Sequence, residues 1–105
     1  MAKYLFLIMV NAVSGQDDAL NAWLDDHHVD EVLAIPGFVR AERYELAPEN
    51  KDNPAQPHRY MHFYEIETND LAGVQAALAA GGATRTPLTA ALDLDTVFTA
   101  YYKLR

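Results

Sequence analysis

The chemistry this sequence can offer lies mainly in its histidines. His28 follows Leu24 and precedes Val32, and the set Leu20, Leu24, His28, Val32 and Ile35 recurs every three to four residues. That spacing gathers the set on one stripe of a helix facing a core. A partly buried imidazole can titrate near neutrality and act as a general acid or base; the plainer alternative is a packed histidine satisfied by one backbone or tyrosine partner. His62 sits mid-way along the alternating run His58, Tyr60, His62, Tyr64, Ile66. A wall of Tyr60, His62 and Tyr64 could hold a flat substrate and donate hydrogen bonds to it, or it could be ordinary core or interface packing. Tyr4 can join that wall if its register allows. Trp23, one position before the stripe, is either a core anchor or a stacking surface, and Leu24 is its apolar neighbour. Arg43 can bind a carboxylate or an enolate, or pair across the sheet with Glu42, Glu45 or Glu65.

Other chemistries are poorly served. There is no cysteine, so neither a disulfide framework nor a thiolate nucleophile is available. The cluster Asp25, Asp26, His27, His28, Asp30, Glu31 resembles a metal site in composition. Adjacent histidines on a helix point about 100° apart, and His27 with Asp30 or Glu31 lacks a third ligand. A solvated acidic face is the better reading, and no metal is expected. No phosphate-binding loop, dinucleotide fingerprint or Ser-His-Asp spacing occurs, so no cofactor is implied. Fifteen acidic against eight basic residues give a net charge of -7, which opposes nucleic-acid binding.

These residues need elements to position them. With 105 residues the chain makes one domain, 1–105. The run over 3–12 is too short for a membrane span or signal peptide and reads as a strand covered on both faces; a cytoplasmic protein follows by default. Ser14-Gly15-Gln16-Asp17 suggests an N-cap, a helix runs from about 16 to 34, and Pro36-Gly37 stops it. A strand over 38–46 puts Phe38, Arg40, Glu42 and Tyr44 on one face and Val39, Ala41, Arg43 and Glu45 on the other. Three prolines and two asparagines mark 47–57 as a loop. A third strand over 58–67, a second helix from Asn69 or Asp70 to about Ala80, a helical turn near 87–92 and a last strand over 95–104 complete the chain. The order βαββαβ is α+β and ferredoxin-like: a four-stranded antiparallel sheet with two helices on one face. The other face still carries large apolar side chains, and a second copy of the chain is the simplest cover, giving a homodimer.

The stretch Trp23-Leu24-Asp25-Asp26-His27-His28-Val29-Asp30-Glu31-Val32-Leu33-Ala34-Ile35-Pro36-Gly37-Phe38, followed by Ala41-Glu42-Arg43-Tyr44, resembles the EthD-like branch of the dimeric α/β-barrel superfamily, nearest the HapK/RedY-like group of secondary-metabolite pathways. The resemblance implies two sheets facing each other in a dimeric barrel, with a separate pocket between each sheet and its own helices. It maps the family's helix-1 histidine onto His28. Met61-His62-Phe63-Tyr64-Glu65 resembles the strand-3 histidine stretch of plant polyketide cyclases, which would place His62 in the pocket. The further histidine of that branch has no match at Ala79-Ala80-Gly81-Gly82, so an identical cyclase mechanism is not implied. Haem degradation is set aside because the second helix offers no histidine.

The function expected is a cofactor-independent enzyme on a small apolar or aromatic, polyketide- or alkaloid-like molecule. His28 would move a proton and His62, with Tyr60 or Tyr64, would orient the substrate, giving cyclisation, isomerisation or a lyase or dehydration step. The alternatives are a non-catalytic binding or accessory protein and a monooxygenase that uses no cofactor.

Overall fold

Large apolar residues fill both sides of the first strand, but only one side is covered by the chain itself. In the computed structural model, which describes residues 1–105 apart from the side chain of Ala83, strand β1 (Ala2–Val10) turns Phe6, Ile8 and Val10 into the core. Leu5, Leu7 and Met9 alternate with them and stay half-buried on the opposite face. With β2 (Phe38–Glu45), β3 (Tyr60–Thr68) and β4 (Phe98–Lys103), the sheet has the order β2-β3-β1-β4, all neighbours antiparallel. Helix α1, residues 17–33, joins β1 to β2, and helix α2 (Leu71–Ala80) joins β3 to β4. This is the ferredoxin-like fold, with Leu20, Leu24, Val32 and Val74 of the helices packed against one face of the sheet.

Strand β2 departs from simple alternation. Phe38 pairs with Ile66, but Arg40 already pairs with Glu65, so the register slips at Val39. The extra residue is a β-bulge, and it flips every later side chain. Phe38 therefore shares the helix-covered face with Ala41 and Arg43, while Arg40, Glu42 and Tyr44 face the other way; the sequence alternation had grouped Phe38 with the latter three.

Helix α1 is not one regular α-helix either. An α segment (Asp17–Trp23) passes into a π turn (Leu24–His28) and then a second α segment (Val29–Leu33). The Val29 amide donates to Leu24 O, five residues back. The helix begins after Gln16 with no side-chain cap, so Ser14 does not cap it; Asp17 instead accepts from the Tyr60 hydroxyl at 2.7 Å. After Leu33 the chain turns at Gly37, whose φ is +101°. A side chain there would lie 3.0 Å from Val74 Cγ2, and the Gly37 carbonyl accepts from the Glu67 amide at 2.9 Å. Only glycine meets both demands without strain.

Helix α2 is capped by Asp70, whose carboxylate accepts from the Gly73 amide at 3.0 Å. The helical turn expected near 87–92 does not form. Pro87 removes a donor, and Thr89 Oγ1 accepts the Ala91 amide that a helix would need. Residues 84–97 instead make an irregular strap that returns to the body through the Ala12–Leu92 bridge. The last strand starts at Phe98, later than its apolar pattern suggests, because Asp93 accepts the amides of Asp95 and Thr96 in a turn.

Candidate functional site

Between α1, the sheet and the strap lies a cavity of about 190 Å³, and both His28 and His62 line it. Apolar side chains make the rest of the wall, with Leu20, Leu24 and Trp23 from α1, Ile8 and Val10 from β1, and Thr99 of β4 as the one further polar group. The strap closes the remaining side with Leu88, Leu92 and Val97. Larger grooves, of about 610, 560, 310 and 240 Å³, lie along the 46–59 loop, beside Tyr4 and Tyr102, beside Arg43, and beside Tyr44 and Met61. The Arg43 groove holds a buried unpartnered Nε, but that guanidinium is already engaged by Asp25 and Asn21, whereas neither ring nitrogen of His62 has a partner, so the smaller cavity is the better candidate.

His62 stands mid-strand, opposite Ile8 on one side and Arg43 on the other. It is 2 % exposed, and neither ring nitrogen has a hydrogen-bond partner among the described residues. Leaving a buried polar group unpaired costs roughly 1–3 kcal/mol. Burial, aided by the charges of Arg43 and His28, pushes its pKa down to about 3. His62 is therefore neutral at physiological pH, with one ring nitrogen free to donate and the other to accept.

His28 lines the same cavity four residues after Leu24, and the π turn sets it beside Trp23. Regular α geometry would splay residues 23 and 28 apart, whereas a π turn aligns positions five apart. The Trp23 and His28 rings lie 4.4 Å apart and 15° from parallel. Burial, reinforced by the Arg85 charge and opposed by Glu31, lowers the His28 pKa below its ordinary value. Its neutral, basic form accordingly predominates at neutral pH.

The other sequence candidates divide. Trp23 and Leu24 line the cavity, and Trp23 is also an anchor, its indole N–H donating to the Pro87 carbonyl at 3.0 Å. Tyr60 does not reach the cavity: its hydroxyl is taken by Asp17 at the start of α1. Tyr64 packs edge-on against His62 with centroids 5.5 Å apart, fully buried and behind the cavity wall. Its hydroxyl has no partner, and burial pushes its pKa well up. The Tyr60-His62-Tyr64 wall is thus reduced to His62. Tyr4 lies in the groove with Tyr102, away from both histidines. Arg43 pairs with none of the glutamates considered for it; it donates to Asp25 at 2.7 Å and Asn21 at 2.6 Å, tying β2 to α1. Those glutamates are occupied elsewhere, Glu65 and Glu42 with Arg40. His27 is exposed, and no group of three metal-ligating side chains occurs among the described residues.

Sequence reasoning missed the strap. Leu88 and Leu92 fall in the stretch expected to form a helical turn near 87–92, and they line the cavity from an irregular strap instead. Glu31, counted with the acidic face, accepts the Thr86 amide at 2.8 Å and so holds the strap to α1.

No protein-family model and no curated protein sequence matches the chain. Solved structures do match in fold. A candidate monooxygenase from Shewanella loihica PV-4 is similar over 100 % of this chain and 97 % of its own, with TM-score 0.70 and 12 % identity. An EthD family protein from Bacillus halodurans is similar over 100 % of both chains, with TM-score 0.62 and 10 % identity. A dimeric ferredoxin-like protein of unknown function from Jannaschia sp. CCS1 covers 97 % of this chain with 99 % of its own, at TM-score 0.59 and 13 % identity. At these identities the likeness defines the class of fold, the ferredoxin-like one found in dimeric and EthD family proteins. No helix is long and apolar enough to cross a membrane.

Proposed function

We propose that the protein is a cofactor-independent enzyme acting on a small, largely apolar molecule, with His28 as the base and His62 holding a polar atom of the substrate. One observation carries this reading: a buried, neutral imidazole on an apolar cavity wall, with both nitrogens unpartnered. A ligand hydroxyl or carbonyl would satisfy it. The volume favours a molecule of about one ring, since a cavity of roughly 150 Å³ accommodates benzene. Neutral His28 is in the form that removes a proton beside a carbonyl or hydroxyl, the opening step of cyclisation, isomerisation or lyase chemistry. His62 then stabilises the developing oxyanion by hydrogen bonding.

Within the EthD-like branch, residues 23–38 favour the HapK/RedY-like group. The protein would act in the cytoplasm as a homodimer. Phe98 and Tyr102 on the uncovered sheet face are 44 % and 54 % exposed, and the Jannaschia protein of the same fold is dimeric. A second reading, a cofactor-free monooxygenase, is favoured by the Shewanella protein. It shares the first proton transfer and differs in consuming oxygen.

The test needs no knowledge of the true substrate. Wash-out of the α-protons of a one-ring aryl ketone, phenylacetone, into D2O is followed by NMR. The protein should speed exchange above the buffer rate, and His28→Ala should reduce that excess by about 10²–10⁴-fold with the fold intact. Exchange that His28→Ala leaves unchanged would remove His28 as the base. Oxygen uptake during the same incubation separates the two enzymatic readings.

A further inference from the structure

We propose that residues 86–90 form a gate over the histidine cavity, latched to helix α1 by Trp23 and Glu31. The proposal concerns access to the site described above and rests on that cavity being the site.

The segment is held firmly at both ends and lightly between. On its N-terminal side the amides of Thr84 and Arg85 donate to the Gly81 carbonyl at the end of α2. On its C-terminal side the Val13 amide donates to Ala91 O at 2.7 Å and the Asp93 amide to Asn11 O at 3.0 Å. Between these anchors, two hydrogen bonds tie the arch to the body among the described residues: Thr86 N–H to Glu31 Oε2 at 2.8 Å and Trp23 Nε1–H to Pro87 O at 3.0 Å. Its remaining bonds, from Ala91 N to Thr89 Oγ1 and from Leu92 N to Thr89 O, are internal to the strap.

Position makes these two bonds a latch. They flank the π turn that carries His28, one residue before it and three after. Leu88 lines the cavity yet is 55 % exposed, so it stands at the rim where the arch meets solvent. Lifting the arch breaks two hydrogen bonds and uncovers Leu88 and the His28 edge of the cavity, while the anchors at Gly81, Asn11 and Val13 stay in place. Segments held by few contacts open locally without global unfolding. Trp23 also links the latch to the site, since the same indole stacks on His28. A ligand that displaces the indole would strain the latch, and a closed latch holds His28 against the cavity.

The test reads access with no substrate, so its outcome is separate from that of the catalytic reading. Diethyl pyrocarbonate modifies neutral imidazoles it can reach, and mass spectrometry locates the adducts. His27, which is exposed, is the internal reference. In the wild type, His28 and His62 should react much more slowly than His27. Removing one hydrogen bond should raise the opening equilibrium about fivefold for Trp23→Phe and about tenfold or more for Glu31→Ala, whose lost acceptor is charged. Glu31→Gln, which keeps a neutral acceptor, should fall between wild type and Glu31→Ala. Hydrogen exchange at the Thr86 amide should quicken in the same order. The gate is refuted if His28 and His62 react at wild-type rates in Glu31→Ala and Trp23→Phe, or if His27 and His58 accelerate equally, since that is general loosening. Glu31→Gln, the mildest change, keeps the test informative should Glu31→Ala fold poorly.

Discussion

Helices α1 and α2 cover the same face of one sheet, but their undersides differ. Beneath α2, Leu71, Val74 and Leu78 join an apolar cluster that includes the Phe6 and Tyr101 rings, stacked 4.2 Å apart. That helix is regular and side-chain capped, and it places no titratable group on the core. Beneath α1 are a cavity, two histidines and a helix interrupted by a π turn. The contrast teaches that the regular half closes on a filled apolar core while the irregular half holds the groups capable of chemistry, in keeping with the tendency of proteins to break local rules at functional sites.

That division can be tested by stability, beginning with the largest effect. His62 has a folded-state pKa of about 3, below the 6.5 of a free histidine. As pH falls below 6.5 the unfolded chain takes up the proton first, so stability is lost between 6.5 and about 3, by roughly 1.4 kcal/mol per pH unit. At pH 7.5 both states are neutral and the effect vanishes. Denaturant midpoints from pH 7.5 to 4.5 should therefore fall more steeply in the wild type than in His62→Phe, which has nothing to protonate there. Equal slopes would mean that the acid sensitivity does not arise at the cavity. Next comes Gly37→Ala, at the turn that seats α1's end against α2. A left-handed alanine and its contact with Val74 should cost about 1–3 kcal/mol at every pH, read from the same midpoints. The smallest effect belongs to the regular half. Asp70→Ala removes a cap and should cost about 1 kcal/mol, leaving the diethyl pyrocarbonate reactivity of His28 and His62 unaltered. A change in that reactivity would break the separation between the halves.

Much of this was legible in the sequence. Alternation grouped His62 correctly with Tyr60, Tyr64 and Ile66 on one face of β3, and the 3.6-residue stripe found Leu20, Leu24 and Val32, all at most 2 % exposed. Periodicity could not reveal the features that break it. A π turn changes the spacing for only a few residues, so the contact between Trp23 and His28, five apart, was invisible. The bulge at Val39 inverts the pattern of the strand after it, and nothing in Val39 itself announces this. Arg43's partners lie on α1, eighteen and twenty-two residues away in the chain, so cross-strand reasoning named the wrong carboxylates. The strap departs from the helical turn expected near 87–92 because Pro87 and Thr89 decide its backbone.

The bulge at Val39 has a consequence for how this domain tolerates change. Substitution there is cheap, since the side chain is half exposed. Loss of the residue is tolerated too: with Val39 gone, Phe38 opposite Ile66 is followed directly by Arg40 opposite Glu65, and Ala41 and Arg43 keep the face they share with Phe38. One residue gained or lost between Arg40 and Arg43 is different, because it turns Arg43 to the far side of the sheet and away from Asp25 and Asn21 on α1. The bulge is thus the one place in β2 where chain length is negotiable, a slack link ahead of a stretch whose letters must be counted.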